Sequence, residues 1–483
     1  MRKISKISLV AAVAVAGFST ANAQPLEEAI KNVDVSGSVV YRYDNFHNAE
    51  KKDSAGNVTS DRKNTDANKY KIGLNLSSKV NDYVKFNSRF IVGSPDDAGF
   101  ASLNAGKEDN SSNKKGADGQ ADVSLSNAYF GFTAIPNTVV NIGKQGLTTP
   151  YTVATDINGN EQTGTGILAL TTVGPVTAGL GYFNNTNLDK SSEINNSFGY
   201  GLGGNFYNQK VGPITDLTKT KWDPKGANGL VNGGSDIYVA TVQGDLDFVK
   251  LEAWYLGAQE TFNSYTLAAT STLDLAENAK LGLEARYVYL KLTNDARTGI
   301  ANGVNNAFNN IPNGIGGTIS TGNSANLTAD DFESKNDMFR LAVDGKFSIV
   351  NARLAYTKTG KNGGLTALDQ DAKNTSLGWA ISSNGVANAD YYQAALGADI
   401  LDNLNFTLNY GYIKAKENTN TPYVQRILVD DLKAQEVYGQ LTYKMSKNLT
   451  TYLRYGTYEE KQVSSGDKEQ DQTRGRIQVA YTF

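Results

Sequence analysis

The sequence contains no cysteine and a single histidine, His47, among its 483 residues. The lack of cysteine excludes a disulfide framework, thiol catalysis and zinc sites of the cysteine type. A Ser–His hydrolase would have only His47 as its base, and the position of His47 beside the first loop favours an exposed residue over a catalytic one. The composition therefore argues against an enzyme.

Proline is scarce, with 9 residues, and beyond the amino terminus no apolar run approaches the ~20 residues that a transmembrane helix needs. The mean hydropathy is −0.40. A transmembrane β-barrel can nevertheless be this hydrophilic, because its strands alternate apolar outward with polar inward residues. The 26 tyrosines and 18 phenylalanines fit the aromatic girdles of such a barrel, and a net charge of −3 gives no case for nucleic-acid binding.

The amino terminus has the three parts of a secretory signal peptide. A basic start is followed by the apolar run Leu9–Phe18 and by "ANA" at Ala21–Ala23. We therefore predict a cleaved signal peptide at 1–23 and one barrel domain at 24–483. Cleavage would remove three basic residues and change the formal net charge from −3 to −6.

Period-2 alternation recurs along the whole mature sequence, as in "VDVSGSVVYRYD" (33–44), "LNFTLNYGY" (404–412) and the terminal "RGRIQVAYTF" (474–483). There are about eighteen such segments, which predicts an all-β, antiparallel transmembrane barrel of about 18 strands. A nineteenth candidate, Phe198–Phe206, is assigned to a loop because bacterial single-chain barrels have an even number of strands. The last segment is predicted to pair with the first, since lipid tolerates no open sheet edge.

The connections alternate between short turns and long polar stretches, which predicts turns on one rim and extracellular loops on the other. A soluble β-sandwich is the alternative, but its polar faces would carry more Lys and Glu, and a chain this long would need linkers. The short turns are 134–137, 401–403 and 446–448, and the longest loops are roughly 184–235, 293–336 and 360–390.

Basic residues occupy the polar phase of many strands, where a barrel would direct them into the lumen. A lipid-facing arginine at the bilayer midplane would cost about 2–4 kcal/mol, so in a barrel these basic residues must lie on the lumen side of their strands. Fixed charge in a lumen sets which solutes enter. The predicted pore-lining residues of this type are Arg42, Lys71, Arg89, Arg286, Arg340, Arg353, Arg454 and Arg476.

The segment "DINGNE" (156–161) matches the first half of a calcium-loop pattern at Asp156, Asn158 and Asn160. Glu161 replaces the required glycine, and Ile167 stands where the bidentate glutamate belongs, so the segment is not an EF-hand. From the residues alone, a polar loop with Asx turns is favoured over a cation site.

Three segments resemble the major outer membrane porin of Campylobacter and its relatives. They are "LEEAIKNVDVSGSVVYRYD" after the "ANA" site, "GKQGLTTPYTVATDINGNEQTGTG" (143–166) and "RIQVAYTF" at the end. The resemblance implies an 18-stranded, trimeric outer-membrane porin that passes small hydrophilic solutes with a preference for cations. It also implies that the third loop, about 146–166, folds into the pore, faces a wall of arginines and holds a calcium ion. The calcium ligands would include Asp156 and Asn158, where the family's loop aspartate is replaced by Asn158.

We therefore predict a porin of the Gram-negative outer membrane that requires no cofactor for diffusion. Its lumen would be narrowed by a loop bearing Asp156 and Glu161 across from the arginines, which creates a transverse field. Two alternatives remain open. One is a substrate-selective channel, and the other is a surface adhesin whose long loops bind host molecules.

Overall fold

The computed structural model describes 33–52, 58–60, 62–94, 98–103, 121–188, 206–208, 212–214, 234–299, 301, 311–313, 317–319, 328–416, 431–463, 466 and 468–483. The predicted signal peptide and most of the 198–206 segment lie outside these residues. No helix in the described part is long and apolar enough to cross a membrane.

Eighteen long strands form one closed antiparallel barrel, as the alternation predicts. Each strand pairs with its neighbours in sequence. The strands are β1 (Val33–Asn48), β2 (Lys63–Asn81), β3 (Val84–Gly93), β4 (Asp122–Phe132), β5 (Thr138–Gly146), β6 (Thr163–Val173), β7 (Val176–Thr186), β8 (Ile237–Leu246), β9 (Val249–Ala258), β10 (Phe262–Ala276), β11 (Ala279–Leu292), β12 (Lys335–Phe347), β13 (Val350–Thr359), β14 (Ala389–Leu401), β15 (Leu404–Ala415), β16 (Leu432–Lys444), β17 (Leu449–Gln462) and β18 (Lys468–Thr482).

Short elements accompany the barrel on its loop side. A two-residue strand, Ala101–Ser102, pairs with β2. The remaining pieces are the strand pairs Lys51–Lys52 with Val58–Ser60, Phe206–Asn208 with Gly212–Ile214 and Ile311–Asn313 with Gly317–Ile319, and the 3-10 helix Ala329–Asp331.

The barrel closes between its first and last strands, which confirms the prediction for "RGRIQVAYTF". Antiparallel pairing of β1 with β18 runs from Ser38↔Thr482 to Asn48↔Gln472. Beyond the strand, Phe483 N donates to Gly37 O over 3.1 Å. No backbone edge is left open at this seam, as a lipid environment requires.

The two faces of the barrel wall differ as alternation demands. Outward side chains are large and apolar, with Leu354 65% and Leu267 61% exposed to the surrounding medium. Inward side chains include buried Arg42 and Lys71. The predicted short turns follow β4, β14 and β16 on one rim, while the long connections lie on the opposite rim.

The apolar core lies inside the barrel, and two connections form much of it. These are loop 3 (147–162), between β5 and β6, and loop 7 (360–388), between β13 and β14. Tyr151 of loop 3 and Leu365 and Leu368 of loop 7 pack in one cluster with inward side chains of the wall. The prediction that 360–390 is an extracellular loop is wrong for its course, because loop 7 folds into the barrel.

Candidate functional site

Loop 3 is attached to the barrel wall through Glu161, a carboxylate only 3% exposed. Lys71 Nζ of β2 lies 2.6 Å from Glu161 Oε1, and Arg89 Nε of β3 lies 2.9 Å from Oε2. The hydroxyls of Ser126 and Thr155 donate to the same carboxylate over 2.9 and 3.0 Å. Burial alone would raise the pKa of Glu161, but the bonds from Arg89 and Lys71 hold that pKa below its usual value.

The tip of loop 3 is held by the carbonyl oxygens of its backbone. Arg42 Nη2 donates to Ile157 O over 3.0 Å, and Lys71 Nζ donates to Gly159 O. The Arg42 guanidinium also stacks 4.3 Å from the ring centre of Phe100. Three of the predicted lumen residues, Arg42, Lys71 and Arg89, therefore position loop 3, which alternation alone did not indicate.

Asp156 and Asn158 do not form a calcium site by themselves. Both Asp156 oxygens accept hydrogen bonds from Asn160, over 2.7 Å from its backbone N and 2.8 Å from its side chain. Asn158 is exposed. Within the described ranges, no three His, Cys, Asp or Glu side chains are placed to hold one metal ion. Asp156 and Asn158 alone supply fewer oxygens than the roughly six to eight that calcium takes, and calcium binding stays a prediction.

Loop 7 lies against loop 3 through backbone and side-chain hydrogen bonds. Leu368 N donates to Tyr151 O over 2.8 Å, and Asn374 N donates to Pro150 O over 2.9 Å. Gln162 Nε2 donates to Asp369. Because these bonds connect residues more than 200 positions apart, the two loops form one inward structure. The sequence signal that could have found loop 7 is its set of apolar residues, Leu365, Leu368, Trp379 and Ile381, which an exposed loop would not need.

The opposed arginines Arg286 and Arg340 support loop 7 from β11 and β12. They are direct cross-strand partners, an arrangement that is unfavourable unless the charges are balanced. Glu284 supplies that balance, with its Oε1 3.0 Å from Arg286 Nε and 2.6 Å from Arg340 Nη2. Arg340 also donates to Thr375 O over 2.5 Å and to Lys373 O over 2.8 Å.

Arg353 is placed differently from these anchors. It pairs with Asp344 over 2.6 Å, and its Nη2 lies 3.8 Å from Glu284 Oε2. Its guanidinium therefore lies at the edge of the Glu284 cluster, and no hydrogen bond joins it to loop 7 in the described residues.

The far end of loop 7 inserts Trp379 among arginines of β17 and β18. The indole ring lies 5.2 Å from the Arg454 guanidinium, 5.8 Å from that of Arg474 and 6.0 Å from that of Arg476. Glu436 of β16 holds the adjoining backbone, accepting from Trp379 N over 3.0 Å and from Ala380 N over 2.6 Å. Sequence reasoning missed Trp379, Glu436 and Arg474.

The arginines of this end differ in charge balance. Arg476 pairs with Asp44 over 2.5 Å. Arg454 instead bonds the neutral Gln440, over 2.8 and 2.6 Å, and Arg474 bonds Gln472 and Trp379 O. Among the described side chains, Arg454 and Arg474 have no carboxylate within ion-pair distance, so their charge is available to solutes.

Loop 7 also carries a pair of carboxylates, Asp369 and Asp371. Burial, together with the neighbouring Asp371 and Asp156, raises the pKa of Asp369 to about 9. Its side chain is therefore protonated at neutral pH, and raising the pH through 9 adds a negative charge beside Asp371.

A pH titration tests this carboxyl. Since the folded state keeps a proton that the unfolded state releases above about pH 4, stability should fall as the pH rises from about 4 to 9 and then level off. We expect cation selectivity in planar bilayers to increase across pH 9, where the new charge appears. Asp369→Asn should remove both changes, and an unaltered pH profile in that variant would contradict the assignment.

Comparisons with known proteins agree with the barrel. The model of the Campylobacter major outer membrane protein family matches residues 1–483. No curated protein sequence matches the chain. The solved structure of OccAB3 from Acinetobacter baumannii is similar, with a TM-score of 0.61 and 12% identity, over 93% of this chain and 99% of that one.

Two porin structures from Pseudomonas aeruginosa are also similar. The outer membrane protein OprD has a TM-score of 0.56 and 14% identity, with 93% of each chain covered. OccK2, solved in complex with glucuronate, has a TM-score of 0.57 and 12% identity, over 93% of this chain and 98% of that one. At such identities these likenesses concern the fold.

Proposed function

The chain belongs to the Campylobacter major outer membrane protein family, and on that basis we propose a cation-preferring diffusion channel for ions and small hydrophilic solutes. The chain is a multi-pass outer-membrane porin and not an enzyme.

The observation that carries this proposal is the separation of charge along loop 7. One part of the loop bears Asp371, which has no basic partner among the described side chains and lies beside Asp369, whose carboxyl keeps its proton at neutral pH. The other part bears Trp379, which contacts the guanidiniums of Arg454 and Arg474. Fixed charges of opposite sign along one passage favour ions and dipolar solutes over apolar ones.

The proposed preference for cations is supported by the pairing of most basic residues of the lumen with carboxylates. Lys71 and Arg89 pair with Glu161, Arg286 and Arg340 with Glu284, and Arg476 with Asp44. Arg454 and Arg474 lie against aromatic rings, which stabilise the guanidinium charge without cancelling it, so these two arginines form the basic part of the passage. The proposed role of Asp156 and Glu161 is to shape loop 3, Glu161 through its ion pairs with the wall and Asp156 through its hydrogen bonds within the loop.

Two opposite charge changes test the selectivity. Asp371→Asn should shift the reversal potential in a KCl gradient toward anions, and Arg454→Gln should shift it toward cations. The two variants serve as controls for each other, because a general change in pore shape would not move the potential in opposite directions. Unchanged potentials in both variants would remove these residues from the passage.

A substrate-selective channel is the second candidate, and the cluster around Trp379 favours it. Guanidinium donors beside aromatic rings suit a small carboxylate, which one similar porin binds as glucuronate. Saturable block of ion current by glucuronate, but not by glucose, would distinguish this candidate from a general pore.

We also propose a homotrimer, as the family resemblance implies, and chemical cross-linking in native membranes tests it. The adhesin alternative concerns loops that lie mostly outside the described residues, and it stays a prediction.

A further inference from the structure

The outer face of the barrel carries a row of lysines near the loop-side ends of β13 to β18. Successive members are direct cross-strand partners, so neighbours in the row are about 5 Å apart between strands. The row consists of five lysines and one aspartate, which takes the position on β14. In strand order its members are Lys358, Asp390, Lys414, Lys433, Lys461 and Lys468.

The row shares the phase of the lipid-facing residues. Leu354 of β13, Leu408 of β15 and Val437 of β16 are 65%, 48% and 39% exposed, and each lies an even number of residues from the lysine of its strand. Inward residues of the opposite phase, such as Thr357 and Ile413, are buried. The lysines therefore point away from the lumen and take no part in conduction.

An aromatic girdle borders the row on its membrane side. Tyr356 and Tyr392 are cross-strand partners two residues from Lys358 and Asp390, and their ring centres are 5.1 Å apart. The Tyr356 hydroxyl donates to Asp390 over 2.6 Å. Because such girdles lie at the headgroup level of a bilayer, the lysines lie among the headgroups of the loop-side leaflet.

The ends of the row are paired with acids, but its centre is not. Lys358 lies 2.9 Å from Asp390, and Glu459 lies 2.6 Å from Lys461 and 2.7 Å from Lys468. Lys414 and Lys433 face each other across β15 and β16, and neither lies within ion-pair distance of a carboxylate in the described part of the chain, although Asp390 is the cross-strand neighbour of Lys414 on β14. Directly opposed like charges destabilise a sheet, so this half-buried pair calls for an external anion.

The opposite side of the barrel has no such basic centre at the corresponding level of β7 and β8. There, Tyr182 and Tyr238 both donate to Asp236, over 3.2 and 3.3 Å. The chain as a whole is acidic, with a formal net charge of −3. At this level, therefore, β7 and β8 carry tyrosines bonded to an acid, whereas β15 and β16 carry two opposed lysines.

We infer that Lys414 and Lys433 bind the phosphate groups of a phosphorylated glycolipid in the loop-side leaflet. The outward leucines of β13 to β15 contact its acyl chains, the tyrosine girdle lies beside its sugar, and the two ammonium groups neutralise its phosphates. Lysines at an anionic membrane surface each contribute about 1 kcal/mol, which is about fivefold in affinity. Lys416, exposed two residues beyond Lys414, adds to the same field.

Native mass spectrometry of the full-length protein in detergent tests the site, with diphosphorylated lipid A as the probe. We expect K414Q/K433Q to bind this lipid about 25-fold more weakly than the original protein, from about fivefold for each lysine. A dephosphorylated lipid A should bind both proteins equally weakly. K280Q, which removes a lysine paired with Asp274 on the turn-side rim, is the matched control and should bind normally.

The alternatives give different results. Equal affinity of K414Q/K433Q and the original protein for diphosphorylated lipid A would overturn the proposal. Loss of subunit association without a change in lipid affinity would overturn it as well, and would assign the row to a contact between copies of the chain. If the double glutamine variant does not insert, K433Q alone should bind about fivefold more weakly and K414R/K433R should bind normally.

Discussion

Replacing Glu161 with Gln is expected to release loop 3 from the barrel wall. The variant keeps the shape of the side chain but leaves Lys71 and Arg89 without their carboxylate in a site where Glu161 is 3% exposed. Removing one partner of a buried ion pair costs about 3–5 kcal/mol, because the remaining charge is uncompensated. We expect lower thermal stability, seen as a lower temperature for the heat-induced shift in electrophoretic mobility.

The same variant should change conduction. With loop 3 detached, single-channel current in planar bilayers should become larger and noisier, and the freed Lys71 and Arg89 should shift selectivity toward anions. Glu459→Gln is the matched control, since Glu459 pairs with Lys461 and Lys468 on the outer surface. An exposed pair of that kind is worth about 0–1 kcal/mol. If the two variants behave alike, Glu161 does not hold the loop.

Replacing Gly378 with Ala is expected to displace the far end of loop 7. A Cβ at this position would overlap the carboxylate of Glu436, which is 2% exposed and accepts the backbone N–H groups of Trp379 and Ala380. Overpacking of a buried site costs about 1–3 kcal/mol. Because Trp379 would leave the cluster of Arg454 and Arg474, we expect a wider passage and a higher single-channel conductance.

Gly244→Ala provides the control for this substitution. Gly244 lies in β8, and a Cβ there would be 3.8 Å from the nearest atom, on Leu246, which is an ordinary contact. It should leave conductance and heat stability unchanged. A Gly378→Ala protein with normal conductance and normal heat stability would show that loop 7 is not held through Glu436.

The order of charges in loop 7 connects these predictions. Glu436 and Arg340 hold the loop at two places, while Asp369 joins it to loop 3. A change at any of these three residues should therefore alter the passage even where the residue itself does not contact a solute.

The wall of the barrel could be read from the sequence, because alternation is a local property of each strand. It predicted the number of strands, the closing pair of β1 with β18 and the inward phase of residues such as Arg42 and Arg340. Lipid outside and water inside impose opposite polarity on successive residues. The sequence of each strand therefore predicts which of its side chains face the lumen. The resemblance to the porin family, and not the periodicity, indicated an inward third loop.

Only the tertiary structure decided which residues meet inside the wall. Glu161 contacts Lys71 across 90 positions, and Leu368 contacts Tyr151 across more than 200. The sequence of loop 7 shows no regular alternation of polar and apolar residues, because these residues contact several strands and loop 3 at once. No local pattern therefore predicts that the loop folds inward. The alignment of Lys414 with Lys433 likewise depends on the register between β15 and β16. The sequence by itself determined a closed barrel with a charged lumen, and the packing of two inward loops decided which of those charges remain free.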